Sequence, residues 1–364
     1  MRFKEIYQNW ASAPEDFWAQ EAARLDWQTP PTTIFETDES GDRWYPDGEM
    51  NTCYNCVDRH VLAGHGARPA FIHDSPITAT GSETSAKTQI SYAELLDRVE
   101  LVGAMMSDKG VTKGDRVIIY MPMILETAIA ALACARIGAI HSIVFGGFAA
   151  AELATRIDDA TPKLILAASC GLEPGRIVEY KPLLDGAIEL AAHKPETVIM
   201  WQRPQNSAPL MEGRDFDWQA LEAEARAADR RAACVPVAAT DPLYILYTSG
   251  TTGIPKGVVR DNGGHLVALS WAMENIYNIA PGEVFWSASD FGWVVGHSFI
   301  LYGPLAIGAT SVIYEGKPIG TPDAGAFWRV ICEHKVKALF TAPTAFRAIK
   351  KEDPDGKLVA NYDM

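Results

Sequence analysis

The sequence predicts an α/β protein with two parallel-sheet lobes and helices on both faces of the sheets. Three observations lead there. From residue 89 onward, short apolar runs alternate with amphipathic stretches of helical period. Glycines mark the changeovers, at Gly110, Gly138 and Gly146-Gly147. Strands separated by helices pair in parallel, because the crossover helix carries the chain back to the starting edge. With 364 residues the chain is long enough for two or three lobes and a large core.

Taken in order, residues 1 to about 28 carry Phe3, Tyr7, Trp10 and Phe17 at loosely helical spacing, which predicts a helix laid against the core. Residues 29–50 are rich in Pro, Thr, Asp and Gly and read as irregular wrapping chain. The polar stretch 74–88 reads as a surface loop or hairpin, so 1–88 form an N-terminal cap and wrapping segment and 89–364 the main domain. Ser91 with Glu94 is a capping box, and Tyr92, Leu95, Leu96, Val99, Val102 and Met106 then share one helical face. Strands follow at 116–121, 139–145, 164–168 and 197–201, with helices at 124–137, 149–160 and 182–193. A charged helix at 218–228 leads to a second block. It holds a strand at 243–247, a glycine-rich turn, a helix at 264–277, strands at 284–288 and 310–314, a helix at 324–334 and a strand at 338–341.

Composition narrows the function. A formal net charge of -14 argues against a broad nucleic-acid surface, which needs a basic stripe. It leaves nucleotides open, because a few N–H groups and one lysine hold a phosphate on an acidic protein. The opening MRFKEIYQNW has no apolar signal region, and the apolar stretch 128–135, between Glu126 and Arg136, is too short to span a bilayer. A cytoplasmic protein without a membrane partner is the expectation. Cys53 and Cys56 form a lone C-x-x-C with no second ligand pair, so they read as plain thiols rather than a metal site. The other four cysteines, Cys134, Cys170, Cys234 and Cys332, read as buried.

The informative segment runs from Tyr247 to Gly257. After a strand come Thr248, Ser249, Gly250, Thr251, Thr252, Gly253, Ile254, Pro255, Lys256 and Gly257: four hydroxyls, three glycines and one lysine. Glycines let backbone N–H groups converge, hydroxyls add donors, and the lysine adds a mobile charge. Such a loop suits a polyphosphate. It is not the nucleoside-triphosphatase P-loop, since G-K-[ST] occurs nowhere in the chain.

This segment resembles the signature loop of the adenylate-forming superfamily. The run Val258 to His265 is similar to its continuation in propionyl-CoA synthetases, and the acetyl branch differs there. The blocks 285–305, 315–318 and 341–344 continue the resemblance, as do Tyr54 to His60 and Phe145 to Phe148. The resemblance covers almost the whole chain. It implies a truncated large N-terminal domain of the adenylate-forming fold, an incomplete AMP-binding domain without the small C-terminal domain.

The implied activity is that of an AMP-forming acyl-CoA synthetase on a short carboxylic acid, propionate favoured over acetate. ATP with Mg2+ and CoA are the implied cosubstrates, and the chain alone is expected to be inactive. The resemblance places Thr248, Ser249, Gly250, Thr251, Thr252, Gly253, Lys256 and Gly257 on the phosphates, with Lys256 and Thr248 catalytic. It places Trp293, Val294 and Val295 in the acyl pocket, and Phe145, Gly147, Glu173, Pro174, Gly175 and Arg176 on the CoA nucleotide. The acetyl branch has threonine at 295 and arginine at 173. Here Arg176 keeps one cation for a phosphate, or is a solvated surface arginine, and Glu173 would repel one. Asp290 and His297 either order the pocket loop or touch substrate. Metal, adenine and ribose ligands are expected downstream. A non-catalytic nucleotide- or CoA-binding module is the rival reading.

Overall fold

In a computed structural model, residues 2–39, 41–76, 86–248 and 255–363 are described. They form a larger and a smaller sheet. Across the larger one the strands run Asp215–Asp217, Thr197–Trp201, Leu164–Ala168, Arg116–Tyr120, Ile140–Val144, Pro242–Thr248 and Lys256–Asp261. All neighbours are parallel except the last pair. The smaller sheet runs Val336–Thr341, Val284–Ala288, Thr310–Tyr314, Pro69–Ser75 and Ala86–Ser91, again parallel until its last pair.

Strands covered on both faces read as unbroken apolar runs rather than alternating ones. Every residue of Leu164–Ala168 and of Thr310–Tyr314 is buried. Helix Tyr92–Asp108 opens on the predicted capping box: Ser91 Oγ accepts from the Glu94 N–H, and the Glu94 carboxylate accepts from the Ser91 N–H. Helix Leu125–Arg136 is buried from Glu126 to its end.

Three expectations need correction. The N-terminal aromatic stretch is two helices, Arg2–Ser12 and Pro14–Ala22, because Pro14 opens a new one. Phe3 and Tyr7 lie exposed, and only Phe17 and Trp18 reach the body of the protein, against Trp44 and Trp271. The wrapping chain contains a hairpin, Phe35–Asp38 with Gly41–Trp44. The flanks of the polar stretch 74–88 fit its hairpin alternative: Pro69–Ser75 and Ala86–Ser91 pair antiparallel in the smaller sheet, and residues 77–85 lie outside the described set. Cys234 and Cys332 are half-exposed, whereas Cys134 and Cys170 are buried with Cys53 and Cys56.

Tertiary structure also brings Cys234 beside Cys53 and Asp58, their ligating atoms within 4.8 Å of one another. Arg136 fills that place: its Nη1 donates to both Asp58 oxygens at 3.0 and 2.8 Å and lies 3.9 Å from Cys53 Sγ. The group is a buried ion pair with adjacent thiols.

Candidate functional site

The strands Pro242–Thr248 and Lys256–Asp261 form an antiparallel hairpin at the edge of the larger sheet, with Thr248 opposite Lys256 as the last pair. Ser249, Gly250, Thr251, Thr252 and Gly253 lie outside the described residues. The register fixes the two ends of the segment side by side. Thr248, Lys256 and Gly257 are all exposed. Lys256 has no ion-pair partner among the described residues, so its charge is available to a ligand. The hairpin is held from below: Tyr247 Oη donates to Asp159 at 2.6 Å, and Arg156 lies over the Tyr247 and Phe148 rings.

Between the two sheets is a cleft of about 290 Å³. Its walls are the chain segments leaving the carboxyl ends of parallel strands, where open α/β sheets bind ligands. Pro122 and Met123 follow Arg116–Tyr120, and Phe145 to Gly147 follow Ile140–Val144. Ser289 and Asp290 follow Val284–Ala288, and Glu315 to Pro318 follow Thr310–Tyr314. The remaining wall is the hairpin Cys170–Glu173 with Arg176–Glu179, which brings Glu173 opposite Arg176. Pro174 and Gly175 make its turn; Gly175 takes a φ of +75°, which a glycine accepts without strain.

Of the predicted CoA residues, Phe145, Gly147, Glu173 and Arg176 therefore line one cleft. Its back wall is the Tyr180 ring, packed against two glycines. A Cβ at Gly146 would fall 2.1 Å from Tyr180 Oη, and one at Gly171 would fall 2.3 Å from it.

The cleft carries charge, and nearly all of it is paired. Glu315, buried at the base, accepts from Arg203 Nη1 at 2.7 Å and Nη2 at 2.9 Å, and from Ser75 Oγ at 2.8 Å. Because Arg203 follows a strand of the larger sheet and Glu315 one of the smaller, this bidentate pair joins the two. Lys317 Nζ lies 3.1 Å from Glu173 Oε1, so the Glu173 carboxylate does not stand alone to repel a phosphate, as the sequence suggested. Asp290 accepts from the Gly292 N–H at 2.8 Å. Burial pushes its pKa up to about 6, against the opposing pull of that N–H and of Lys317.

Trp293, Val294 and Val295 lie on a turn and the short helix Val294–Gly296. Trp293 is 55% and Val294 41% exposed, Val295 is half-buried, and none of the three lines the cleft. Immediately behind them the chain turns inward. His297 is buried, and its Nδ1 donates to the Trp293 carbonyl at 3.1 Å, which leaves Nε2 bare. Its ring stacks on Tyr244 at 4.4 Å and on His141 at 5.4 Å. His265 completes the group edge-on to Tyr244. Burial lowers all three histidine pKa values, His297 to about 4 and His265 to about 3. His297 thus belongs to the packing of the pocket loop.

Sequence reasoning gave no role to Tyr180, Arg203, Lys317, His141 or Tyr244. Glu315 to Lys317, His265 and His297 lie within the runs that carry the family resemblance, and the sequence leaves His297 between ordering the pocket loop and touching substrate.

A doubly covered parallel sheet and a cleft at the strand carboxyl ends define an α/β protein of the class that binds a ligand at that end of its sheet. Comparison with known sequences makes this specific. The profile of the AMP-binding enzyme family matches residues 58–364, and that of the acetyl-coenzyme A synthetase N-terminus matches residues 3–56. The chain belongs to the AMP-binding enzyme family. It is 56% identical to an uncharacterized protein of Pseudomonas aeruginosa, over 96% of this chain and 54% of that protein. It is 53% identical to the mitochondrial acyl-CoA synthetase short-chain family member 3 of Rattus norvegicus, over 96% of this chain and 50% of that protein. It is 45% identical to propionate–CoA ligase of Escherichia coli, over 96% of this chain and 54% of that protein. The chain spans about half the length of the curated relatives it matches. Among the described residues no helix is long and apolar enough to cross a membrane.

Proposed function

We propose that the protein containing this chain activates a short carboxylic acid, propionate in preference to acetate, with ATP and CoA in the cytoplasm. The substrate carboxylate attacks the α-phosphorus of ATP; an O–P bond forms, the α–β bridge breaks, and pyrophosphate leaves. The CoA thiolate then attacks the acyl carbonyl and expels AMP. Neither step needs a protein nucleophile, so catalysis is positioning and charge stabilisation. Magnesium is expected to travel with ATP, and no role for the residues here depends on it.

The observation that carries the reading is the pairing of Thr248 with Lys256, which sets a hydroxyl residue beside an ammonium that has no ion-pair partner among the described residues. Such groups stabilise the charge growing on a leaving pyrophosphate. Thr248 to Gly257 are assigned to the phosphates. Phe145, Gly147 and Arg176 are assigned to the CoA nucleotide, with Pro174 and Gly175 shaping the turn that carries Arg176. Trp293, Val294 and Val295 are assigned to the acyl group as the outer rim of its site. The name propionate–CoA ligase, borne by a relative 45% identical, supports the substrate.

The test is acid-dependent pyrophosphate release with AMP as product, using acetate, propionate and butyrate. The 364 residues alone are expected to bind nucleotide without turnover. In the active protein Lys256→Ala should slow adenylation by about 2.7–4 kcal/mol, the loss of one charge-stabilising donor. An unchanged rate removes the hairpin from the mechanism.

A further inference from the structure

One ion pair spans the mouth of the cleft. Lys317 comes from the loop after Thr310–Tyr314 and Glu173 from the hairpin on the facing sheet, with Nζ and Oε1 3.1 Å apart. Their side chains are 43% and 33% exposed. A pair so open to water contributes little to stability, so holding the fold together does not explain its place. Two features beside it do suggest a purpose. Arg176 stands directly across the hairpin register from Glu173 and has no carboxylate partner among the described residues. Lys317 also faces Asp290, whose carboxyl already accepts from the Gly292 N–H. Two cations thus flank Glu173 at the rim.

We propose that Lys317 is an exchangeable phosphate ligand. It rests on Glu173 when the cleft is empty and moves to a phosphomonoester of the bound CoA nucleotide, which it shares with Arg176. Glu173 acts as a built-in competitor that holds the ammonium in position and is displaced by a more highly charged anion. The inference rests on the reading that the CoA nucleotide occupies this cleft. It adds the residue that recognises the terminal phosphate. A dianionic phosphate outcompetes a monoanionic carboxylate for a compact ammonium, and a half-exposed lysine can swing between them.

Calorimetry on this chain tests it, with CoA, 3′-dephospho-CoA and ATP as ligands. Lys317→Ala should weaken CoA by about ten- to a hundredfold, the loss of one charged hydrogen bond, and leave 3′-dephospho-CoA nearly unchanged. Glu173→Gln should tighten CoA several-fold, because the competitor is gone; a merely structural pair would give the opposite sign. Lys317→Arg should restore much of the CoA affinity. Equal CoA affinity in wild type and Lys317→Ala overturns the proposal, and so does equal loss of CoA and 3′-dephospho-CoA. A loss confined to ATP overturns the assignment to the CoA phosphate. If the wild-type chain binds ATP but no CoA, the placement of CoA in the cleft fails first, an outcome distinct from the failure of Lys317 alone.

Discussion

Two places in the molecule treat polar groups oppositely: the cleft between the sheets and the ring stack behind Trp293. In the cleft, charge meets charge: Arg203 holds Glu315 with two hydrogen bonds, and Lys317 pairs with Glu173. In the seam behind Trp293, the rings of His141, His265 and His297 are buried against Tyr244. Nδ1 of His141, Nδ1 of His265 and Nε2 of His297 have no partner among the described residues. Desolvating a charge costs far more than desolvating a neutral ring nitrogen. The cleft can keep its ions because each has a counter-ion or water. The seam stays intact only while its histidines are uncharged.

The comparison is broken most directly at the base of the cleft. Arg203→Met leaves Glu315 buried without its counter-ion and should cost about 3–5 kcal/mol in urea unfolding. Pairing it with Glu315→Leu should recover most of that loss. If the single variant loses under 1 kcal/mol, the pair is not what joins the sheets there.

The seam should respond to acid. An unfolded histidine titrates near 6.5, whereas His297 in the folded protein titrates near 4. Between those values the unfolded chain binds the proton first. The stability His297 contributes is therefore complete above pH 6.5 and is lost as pH falls toward 4. The span amounts to up to about 3 kcal/mol. His297→Phe should flatten the stability-versus-pH curve across that window; a curve parallel to wild type would mean the ring is hydrated.

Asp290 should show the smaller effect with the reverse sign. Its folded pKa, about 6, lies above the ordinary 3.8, so its contribution is present below 3.8 and is lost as pH rises through 6. Asp290→Asn should stabilise the protein by about 1–2 kcal/mol at pH 7.5 and change little at pH 4. Destabilisation at pH 7.5 would show that Lys317 binds the ionised form more strongly than burial opposes it.

The fold was readable where both faces of a strand are covered, since Leu164–Ala168 and Thr310–Tyr314 leave continuous apolar runs. It was unreadable where a strand sits at an exposed edge. Lys256–Asp261 has no buried residue, so its sequence KGVVRD carries no core-facing period. The hairpin Cys170–Glu179 hid for a related reason: its second strand is exposed or half-exposed throughout. Phe3, Tyr7 and Trp10 misled, because helical spacing of aromatics was taken for a core face and they stack on one another outside. At the site, family motifs named Phe145, Gly147, Glu173 and Arg176, and these four line one cleft. The Lys317–Glu173 and Arg203–Glu315 pairs stayed hidden because each joins segments far apart in sequence, and no local pattern records a counter-ion on a facing sheet.

The tyrosine ring wedged between Gly146 and Gly171 ties three positions into one evolutionary unit. A methyl group at either glycine would overlap the phenol oxygen, so neither can gain a side chain while position 180 keeps its ring. Sequences descended from this one should change the three together: a larger residue at 146 or 171 alongside a truncated 180, with a deeper or shallower cleft as the result. Ligand size would then drift by exchange of volume across the back wall, without any change in the charged rim.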